Sequence, residues 1–122
     1  MTKCLAIRGA TTAEENTKDA IINATTELLL EIVRVNDLAI EQIAAAWFST
    51  TTDLNAEFPA LAIRKLGWMN VGMLCAHEMS VPNSLPQCVR VLILINTDNT
   101  PEDLAYVYLK GAVGLRTQGL DP

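Results

Sequence analysis

The chain has 122 residues, half of them hydrophobic, with 14 acidic and 9 basic residues and a net charge of -5. This length and composition fit one compact domain, spanning residues 1–122, with a hydrophobic core. The negative charge argues against nucleic acid or anionic membrane as a partner, and no apolar stretch of the sequence reaches the roughly 18 residues of a membrane span. The N-terminal residues lack the apolar region of a signal peptide, so we expect a cytoplasmic protein.

The three cysteines predict reduced thiols. Cys4, Cys75 and Cys88 are an odd number and have no CxxC spacing. Neither a disulfide framework nor a zinc site is indicated, and we expect no metal.

The first predicted elements are a strand and a long helix. The apolar run Cys4–Ile7 predicts a strand that stops at Arg8. Thr12 precedes a glutamate by three residues, which is the spacing of a capping box, so the helix is predicted to begin near Ala13. Apolar residues then recur at three- and four-residue intervals as far as about Arg34.

Shorter elements are predicted in the middle of the chain. The run Ile43–Ser49 is followed by three threonines and predicts a second strand, although its alanines are equally compatible with a helix. Phe58–Leu66 suits a short helix, with Pro59 in its first turn and Gly67 as its C-cap. A third strand is predicted over Met69–Cys75.

The last third of the chain completes a mixed α+β pattern. Cys88–Ile95 predicts a fourth strand, Thr100 is a candidate helix N-cap, and Tyr106–Leu109 predicts either a fifth strand or a helix. The glycine-containing tail from Gly111 has little to order it. The fold class is therefore α+β, with a mixed sheet, one long helix and one short helix.

Arg90 stands near the start of the most apolar run in the chain. Because this run is apolar on both alternating faces, we expect its sheet to be covered on both sides, with a second copy of the chain covering one of them. The guanidinium is always charged and requires an anionic partner in such a strand. That partner is either a carboxylate of the protein, such as Glu78, or the anion of a ligand.

Two further residue pairs are candidates for chemistry. Arg8 is followed by Gly9, which permits close approach of the backbone. Cys75 and His77 are two residues apart, so they share a face of a strand and form a conceivable nucleophilic pair, although nothing marks the thiol as activated. The sequence contains no glycine-rich phosphate loop, serine elbow or zinc signature.

Several short motifs occur together in one order. They are Ile7-Arg8-Gly9-Ala10-Thr11-Thr12, Asp53-Leu54, Phe58-Pro59-Ala60, Cys75-Ala76-His77-Glu78-Met79, Cys88-Val89-Arg90-Val91 and Val107-Tyr108-Leu109. The ordered set resembles the AroH-class chorismate mutases over nearly the whole chain, from Ile7 to about Arg116.

The resemblance implies a homotrimer with a pseudo-α/β-barrel core and active sites between subunits. It implies conversion of chorismate to prephenate by a Claisen-type [3,3] rearrangement, which needs no cofactor. The substrate is a dianion that must be held in a compact diaxial conformer. Fixed arginine donors are suited to orienting such a molecule and to stabilising its developing charge.

The resemblance also implies roles for individual residues. Arg90 would lie beside the breaking ether oxygen, Glu78 would accept a hydrogen bond from the ring hydroxyl and orient Arg90, and Cys75 would contact the hydroxyl region. Arg8 and Tyr108 would bind carboxylates. The remaining implied substrate-binding residues are Phe58 as an apolar wall from the neighbouring subunit, Leu74, Leu115, and Arg64 and Arg116 near the mouth. Leu61 stands where relatives carry a lysine, which would make the mouth less positive, and Leu74 stands where some relatives carry a threonine.

Two alternatives to a mutase follow from the same residues. One is a trimeric carboxylate-binding regulatory or scavenging module that holds an anion without turnover. The other is a hydrolase that depends on Cys75. Glu78 together with Cys75 favours the mutase over the binding module, because an anion sensor gains nothing from a carboxylate beside its ligand.

Overall fold

The computed structural model describes residues 1–115, and its framework is one mixed five-stranded sheet. The strands are β1 (Lys3–Thr12), β2 (Ile43–Thr50), β3 (Gly72–His77), β4 (Cys88–Thr97) and β5 (Val107–Tyr108). Their order across the sheet is β3-β2-β4-β1-β5. The central strand β4 is antiparallel to β1 and β2, while β3 is parallel to β2 and β5 is parallel to β1.

Two α-helices accompany the sheet. They are α1 (Lys18–Asn36) and α2 (Leu61–Leu66), and 3₁₀ turns occur at Ile40–Gln42, Pro101–Asp103 and Lys110–Ala112. Helix α1 lies very close to the sheet at Gly9, where an added Cβ would be 2.8 Å from Ile32 Cδ1 and 3.2 Å from Leu28 Cδ1. The predicted α+β fold with a mixed sheet, one long helix and one short helix is confirmed.

The start of α1 differs from the prediction. The helix begins at Lys18 rather than near Ala13, and its N-cap is Thr17, whose side chain accepts a hydrogen bond from the Ala20 N–H at 3.2 Å. Thr12 is instead the last residue of β1, paired with Cys88. A residue held in a strand ladder does not cap a helix, so the capping-box spacing was misleading here.

Several other boundaries also move. Arg8 lies inside β1 and not at its end, because β1 pairs with β4 along its whole length. Helix α2 begins at Leu61, after Pro59, and ends at Leu66, and Gly67 follows as the predicted C-cap with a φ of 75°. Strand β3 begins at Gly72 rather than Met69, since the chain first turns through Asn70, whose φ is 66°. The fifth element is a strand.

The C-terminal part of the described chain returns to the sheet. The Gly111 N–H donates to Thr12 Oγ1 at 3.2 Å, and Ala112 is fully buried beside Ala10 and Cys88. These contacts hold Gly111 and Ala112 against the end of β1, while residues 116–122 of the tail that was expected to have little to order it lie outside the described part. Within residues 1–115, no helix combines the length and apolar character needed to cross a membrane.

The two faces of the sheet are covered unequally. On the covered face, Val89, Val91, Ile93 and Ile95 of β4 join the core formed with α1 and are at most 4% exposed. The open face carries the alternate residues of β4, Cys88, Arg90, Leu92, Leu94 and Asn96. No α-helix of residues 1–115 packs against it, and the 3₁₀ turn Lys110–Ala112 covers only the end of it at Cys88 and Ala10. One chain therefore buries only one of the two sheet faces that were predicted to be covered.

Candidate active site

A cavity of about 380 Å³ lies on the open face and collects much of the predicted site. Its lining includes Arg8, Ala10, Trp47, Ser49, Leu74, Glu78, Arg90, Leu92, Tyr108 and Leu115. A neighbouring depression of about 690 Å³ shares Tyr108 but has no arginine among its lining residues. Arginine is the side chain suited to binding carboxylates, so the chemistry favours the smaller cavity.

The strand register explains why these residues converge. Arg90 of β4 pairs with Ala10 of β1 and with Ser49 of β2, and these in turn pair with Tyr108 and Ala76. Paired residues project from the same face of a sheet, so the five form one row across all five strands. Small side chains flank Arg90 on both sides, which leaves space above its guanidinium.

Glu78 is the carboxylate next to Arg90, and hydrogen bonds to groups other than Arg90 hold it in place. Its backbone N–H donates to the Thr50 carbonyl at 2.8 Å, its Oε1 accepts from the Met79 N–H at 3.0 Å, and its Oε2 accepts from Ser49 Oγ at 3.3 Å. Oε2 lies 3.8 Å from Arg90 Nε, close enough for an ion pair but too far for a hydrogen bond. Glu78 therefore compensates the charge of Arg90 without occupying this donor.

The cavity also contains buried polar atoms that lack hydrogen-bond partners. Among residues 1–115, three buried side-chain atoms lack a partner: Arg90 Nε and the Tyr108 hydroxyl at this cavity, and Thr11 Oγ1 on the covered face. Leaving such groups unsatisfied costs about 1–3 kcal/mol each, and more for a charged group. Two unpartnered donors beside one cavity, one of them cationic, indicate a ligand with anionic or other acceptor oxygens.

Arg8 and Cys88 define two edges of the cluster around Arg90. The exposed Arg8 guanidinium lies 6.0 Å from the centroid of the Tyr106 ring, an arrangement that limits its conformations. Cys88 is buried two residues before Arg90 on the same strand. Burial raises the pKa of its thiol, and the adjacent Arg90 guanidinium opposes that rise. Cys88 therefore behaves as an apolar neighbour of Arg90 at neutral pH.

The other predicted site residues form a second surface. A cavity of about 580 Å³ is lined by Phe58, Ala60, Leu61, Arg64, Met73, Leu74, Cys75 and Glu57. Cys75 pairs with Phe48, whose side chain lies in the core, so Cys75 projects from the covered face while Arg90 projects from the open face. Phe58 is 69% exposed. Within one chain, the sheet separates Cys75 from Arg90, and of the described residues 1–115 only Leu74 lines both cavities.

The Cys75 thiol is not activated as a nucleophile. Burial raises its pKa, and a hydrogen bond with the Ala60 backbone offsets the rise only in part. His77 directs Nδ1 toward Thr50, with Oγ1 at 3.1 Å and the carbonyl oxygen at 3.3 Å. A catalytic cysteine needs a lowered pKa, so this geometry argues against the hydrolase.

Three residues at the site were not predicted from the sequence. Ser49 and Trp47 line the Arg90 cavity, and Tyr106 lies under Arg8. In the sequence, Tyr106 stands two residues before Tyr108, and Trp47 and Ser49 stand two residues apart in β2. This spacing places them on the same face as Arg90 only once the pairing of the strands is known. Arg116 lies outside the described residues. Within residues 1–115, no group of three or more His, Cys, Asp or Glu side chains could hold a metal ion.

The chain is similar to known proteins over most of its length. The family model for chorismate mutase type I matches residues 4–119. A chorismate mutase AroH from Thermus thermophilus is 48% identical over 111 residues, covering 90% of this chain and 91% of that protein. The corresponding protein of Bacillus subtilis is 40% identical over 111 residues, with coverages of 90% and 87%. The solved structure of a chorismate mutase from Clostridium thermocellum superposes with a TM-score of 0.87 at 44% identity, covering 88% of this chain and 96% of that one.

Proposed function

The chain belongs to the type I chorismate mutase family, and we propose that its catalytic site forms between two copies of the chain. The protein is an isomerase that converts chorismate to prephenate. In this rearrangement the ether carbon–oxygen bond breaks as a carbon–carbon bond forms. Electrons move within the substrate alone, and no proton is transferred, so the residues act by orientation and by electrostatic stabilisation.

Arg90 is the principal catalytic residue in this proposal, and its unpartnered Nε is the observation that carries the assignment. The ether oxygen gains negative charge as its bond to carbon breaks. A guanidinium donor directed into the cavity meets this charge and, with its other nitrogens, a substrate carboxylate. A single oriented donor of this kind contributes about 3–4 kcal/mol to catalysis.

Glu78 assists in two ways. Its carboxylate lies 3.8 Å from Arg90 Nε and restrains the guanidinium, and it accepts a hydrogen bond from the ring hydroxyl. It also faces the positive charge that develops on the ring. Since Ser49 and the Met79 N–H already hold both carboxylate oxygens, Glu78 does not have to reorganise during the reaction.

Substrate binding is assigned to the rest of the same cavity. Arg8 and the Tyr108 hydroxyl bind the carboxylates of chorismate, and Leu115 contributes apolar contact at the edge. Arg116 is proposed at the mouth by the family resemblance. The net charge of the protein is -5, so these local arginines are what make a dianion bind here.

The second half of the site comes from a neighbouring subunit. Cys75 and Phe58 lie on a surface separated from Arg90 by the sheet, so a second copy is needed to bring them to the same ligand. On the open face Trp47 is 44% exposed and Leu74 is 60% exposed, which supports its covering by that copy. Arg64 then lies near the mouth. A homotrimer follows from the family resemblance, with three such interfaces.

We also assign the enzyme to the cytoplasm. Cys4, Cys75 and Cys88 are all unpaired, which suits a reducing compartment. The carboxylate-binding module without turnover is not favoured, because the matching family and relatives are chorismate mutases.

The activity is tested by incubating purified protein with chorismate, following its ultraviolet absorbance and identifying the product. We expect prephenate to form well above the spontaneous rate. An absolute mass of three times 13.3 kDa is expected from light scattering of the same preparation. Product formation no faster than in buffer would refute the activity, and a mass of one chain would refute the shared site.

A further inference from the structure

We infer that Asp53 is a positioning residue for Arg90. Its carboxylate holds the left-handed turn at Gln87 from which β4 starts, and this turn fixes the part of β4 that carries the guanidinium. The inference rests on the proposed function, because it gives Asp53 an effect on the reaction only through Arg90.

Gln87 has an unusual backbone conformation. Its φ is 50°, in the left-handed region that residues with a Cβ normally avoid. A non-glycine residue remains there only when surrounding interactions determine its conformation. Gln87 directly precedes β4, so this conformation sets the direction in which the strand begins.

Four backbone groups at this turn are fixed by hydrogen bonds. The Gln87 N–H donates to Asp53 Oδ2 at 2.9 Å and to Oδ1 at 3.2 Å, and the Gln87 carbonyl accepts from the Ala13 N–H at 2.9 Å. Thr51 continues the arrangement. Its Oγ1 donates to Asp53 Oδ1 and accepts from the Cys88 N–H at 3.0 Å, while its own N–H donates to the Cys88 carbonyl at 3.0 Å. Asp53 is the charged acceptor on which this network converges.

The turn is mechanically linked to Arg90 through Cys88. Cys88 is 1% exposed, packs with Ala10 and Ala112, and is close enough to the guanidinium for the two side chains to interact. A change at Gln87 would therefore displace both the backbone of β4 and the side chain against which Arg90 rests. A displacement of about 1 Å in a catalytic group can reduce the rate by about 10²-fold.

The chain offers a matched control at the other end of the same strand. Asp98 follows the last residue of β4 and is exposed, and its carboxylate accepts from Thr2 Oγ1 at 3.0 Å. Removing either carboxylate takes away one negative charge beside an end of β4. Asp98 directly follows Thr97, which pairs with Lys3 at the N-terminal end of β1, and Asp98 is not among the residues that line the Arg90 cavity.

The experiment compares kcat and KM for chorismate in Asp53→Ala, Asp98→Ala and the unsubstituted protein. For Asp53→Ala we expect kcat to fall by about tenfold or more with a smaller change in KM, since the transition state depends on the position of Arg90 more than the ground state does. Asp98→Ala should stay within about twofold of the unsubstituted protein in both constants. An unchanged kcat in Asp53→Ala would overturn the inference.

A second substitution separates positioning from general damage. Glycine adopts a positive φ without the penalty of a Cβ, so Gln87→Gly in the Asp53→Ala background should restore most of the lost kcat. Failure of glycine to restore kcat would also overturn the inference. If Asp53→Ala does not fold, the same comparison is made in Asp53→Asn, which retains one neutral acceptor for the Gln87 N–H. Turnover by the unsubstituted protein tests the proposed function separately.

Discussion

The covered face of the sheet packs against a continuous core within one chain, with Thr11 Oγ1 as its unpartnered buried atom among residues 1–115, whereas the open face has no such core. On the covered face, Ile93 and Ile95 are fully buried against a continuous core. On the open face, Arg90 Nε and the Tyr108 hydroxyl lack partners among residues 1–115, and Leu74 is 60% exposed. The first face therefore stabilises the fold, while the second is the face that we propose to be completed by substrate and a neighbouring subunit.

Strand β4 carries both functions because its side chains alternate between the faces. Burying one valine or isoleucine side chain stabilises a fold by about 1.5–3 kcal/mol. Four such residues, Val89, Val91, Ile93 and Ile95, project from the covered side. Together they offset the desolvation of Arg90, which costs several kcal/mol and which Glu78 at 3.8 Å compensates only in part.

Replacing Arg90 tests the open face with the largest expected effect. Arg90→Ala should reduce kcat by about 10³-fold or more, and Arg90→Lys should also lose most of kcat, because an ammonium lacks the planar donor pair of a guanidinium. The melting temperature should change little, since the replaced charge is incompletely paired. The control is Arg34→Ala, an exposed arginine paired with Glu31 on α1. Turnover near that of the unsubstituted protein in Arg90→Lys would contradict the role given to Arg90.

Identical Leu→Ala changes compare the two faces in stability. Leu28→Ala, in α1 where it packs against the covered face, should lower the free energy of unfolding by about 3 kcal/mol at every protein concentration, because it creates a cavity in the core. Leu94→Ala, on the open face, should lower stability most at protein concentrations where the subunits are associated and least in dilute solution, where they dissociate. Denaturant unfolding over a range of protein concentrations measures both. Equal, concentration-independent losses would remove the distinction between the faces.

Cys75→Ser is expected to have the smallest effect on activity. Loss of one neutral contact corresponds to about 1 kcal/mol, or roughly a fivefold fall in kcat/KM. The raised pKa keeps the thiol protonated at neutral pH, so thiolate chemistry does not contribute between pH 6 and 8. A hydrolase would instead be inactivated. Complete loss of prephenate formation in Cys75→Ser would contradict the contact role.

The same pKa shift predicts how stability depends on pH. As pH rises past the ordinary pKa of a thiol, the unfolded chain loses the Cys75 proton before the folded chain does. The free energy of unfolding should therefore fall between the ordinary and the raised pKa, and it should fall less in Cys75→Ser. Urea unfolding across the alkaline range measures the difference. An identical decline in both proteins would show that another group is responsible.

Local sequence patterns predicted most of the fold. The apolar stripe of α1, the run that forms β4 and the glycine after α2 are local signals, and the structure contains all three elements. The boundaries that failed depended on distant partners. Thr12 has the sequence context of a helix cap, but pairing with Cys88 on another strand keeps it extended. No local pattern contains that information.

The sequence predicted which residues belong to the candidate site, but not which face of the sheet each of them lies on. Arg90 was conspicuous because a charge in an apolar strand needs a partner, and Glu78 lies beside it. The separation of Cys75 from Arg90 depends on the register between β3 and β2, which pairs Cys75 with Phe48 and turns it to the covered face. A one-residue shift would have placed Cys75 on the same face as Arg90.

A complementation assay tests the site shared between subunits most directly. Arg90→Ala removes the donor of one half, and Phe58→Asp places a negative charge on the other half, so each variant alone should be inactive toward the dianion. Co-expressed in equal amounts with different tags, they should form mixed trimers in each of which one interface of the three, about one third of the total, combines intact Arg90 with intact Phe58. We expect the purified mixed trimers to recover about that fraction of the activity of the unsubstituted protein. Mixed trimers as inactive as either parent would contradict a catalytic site built from two subunits.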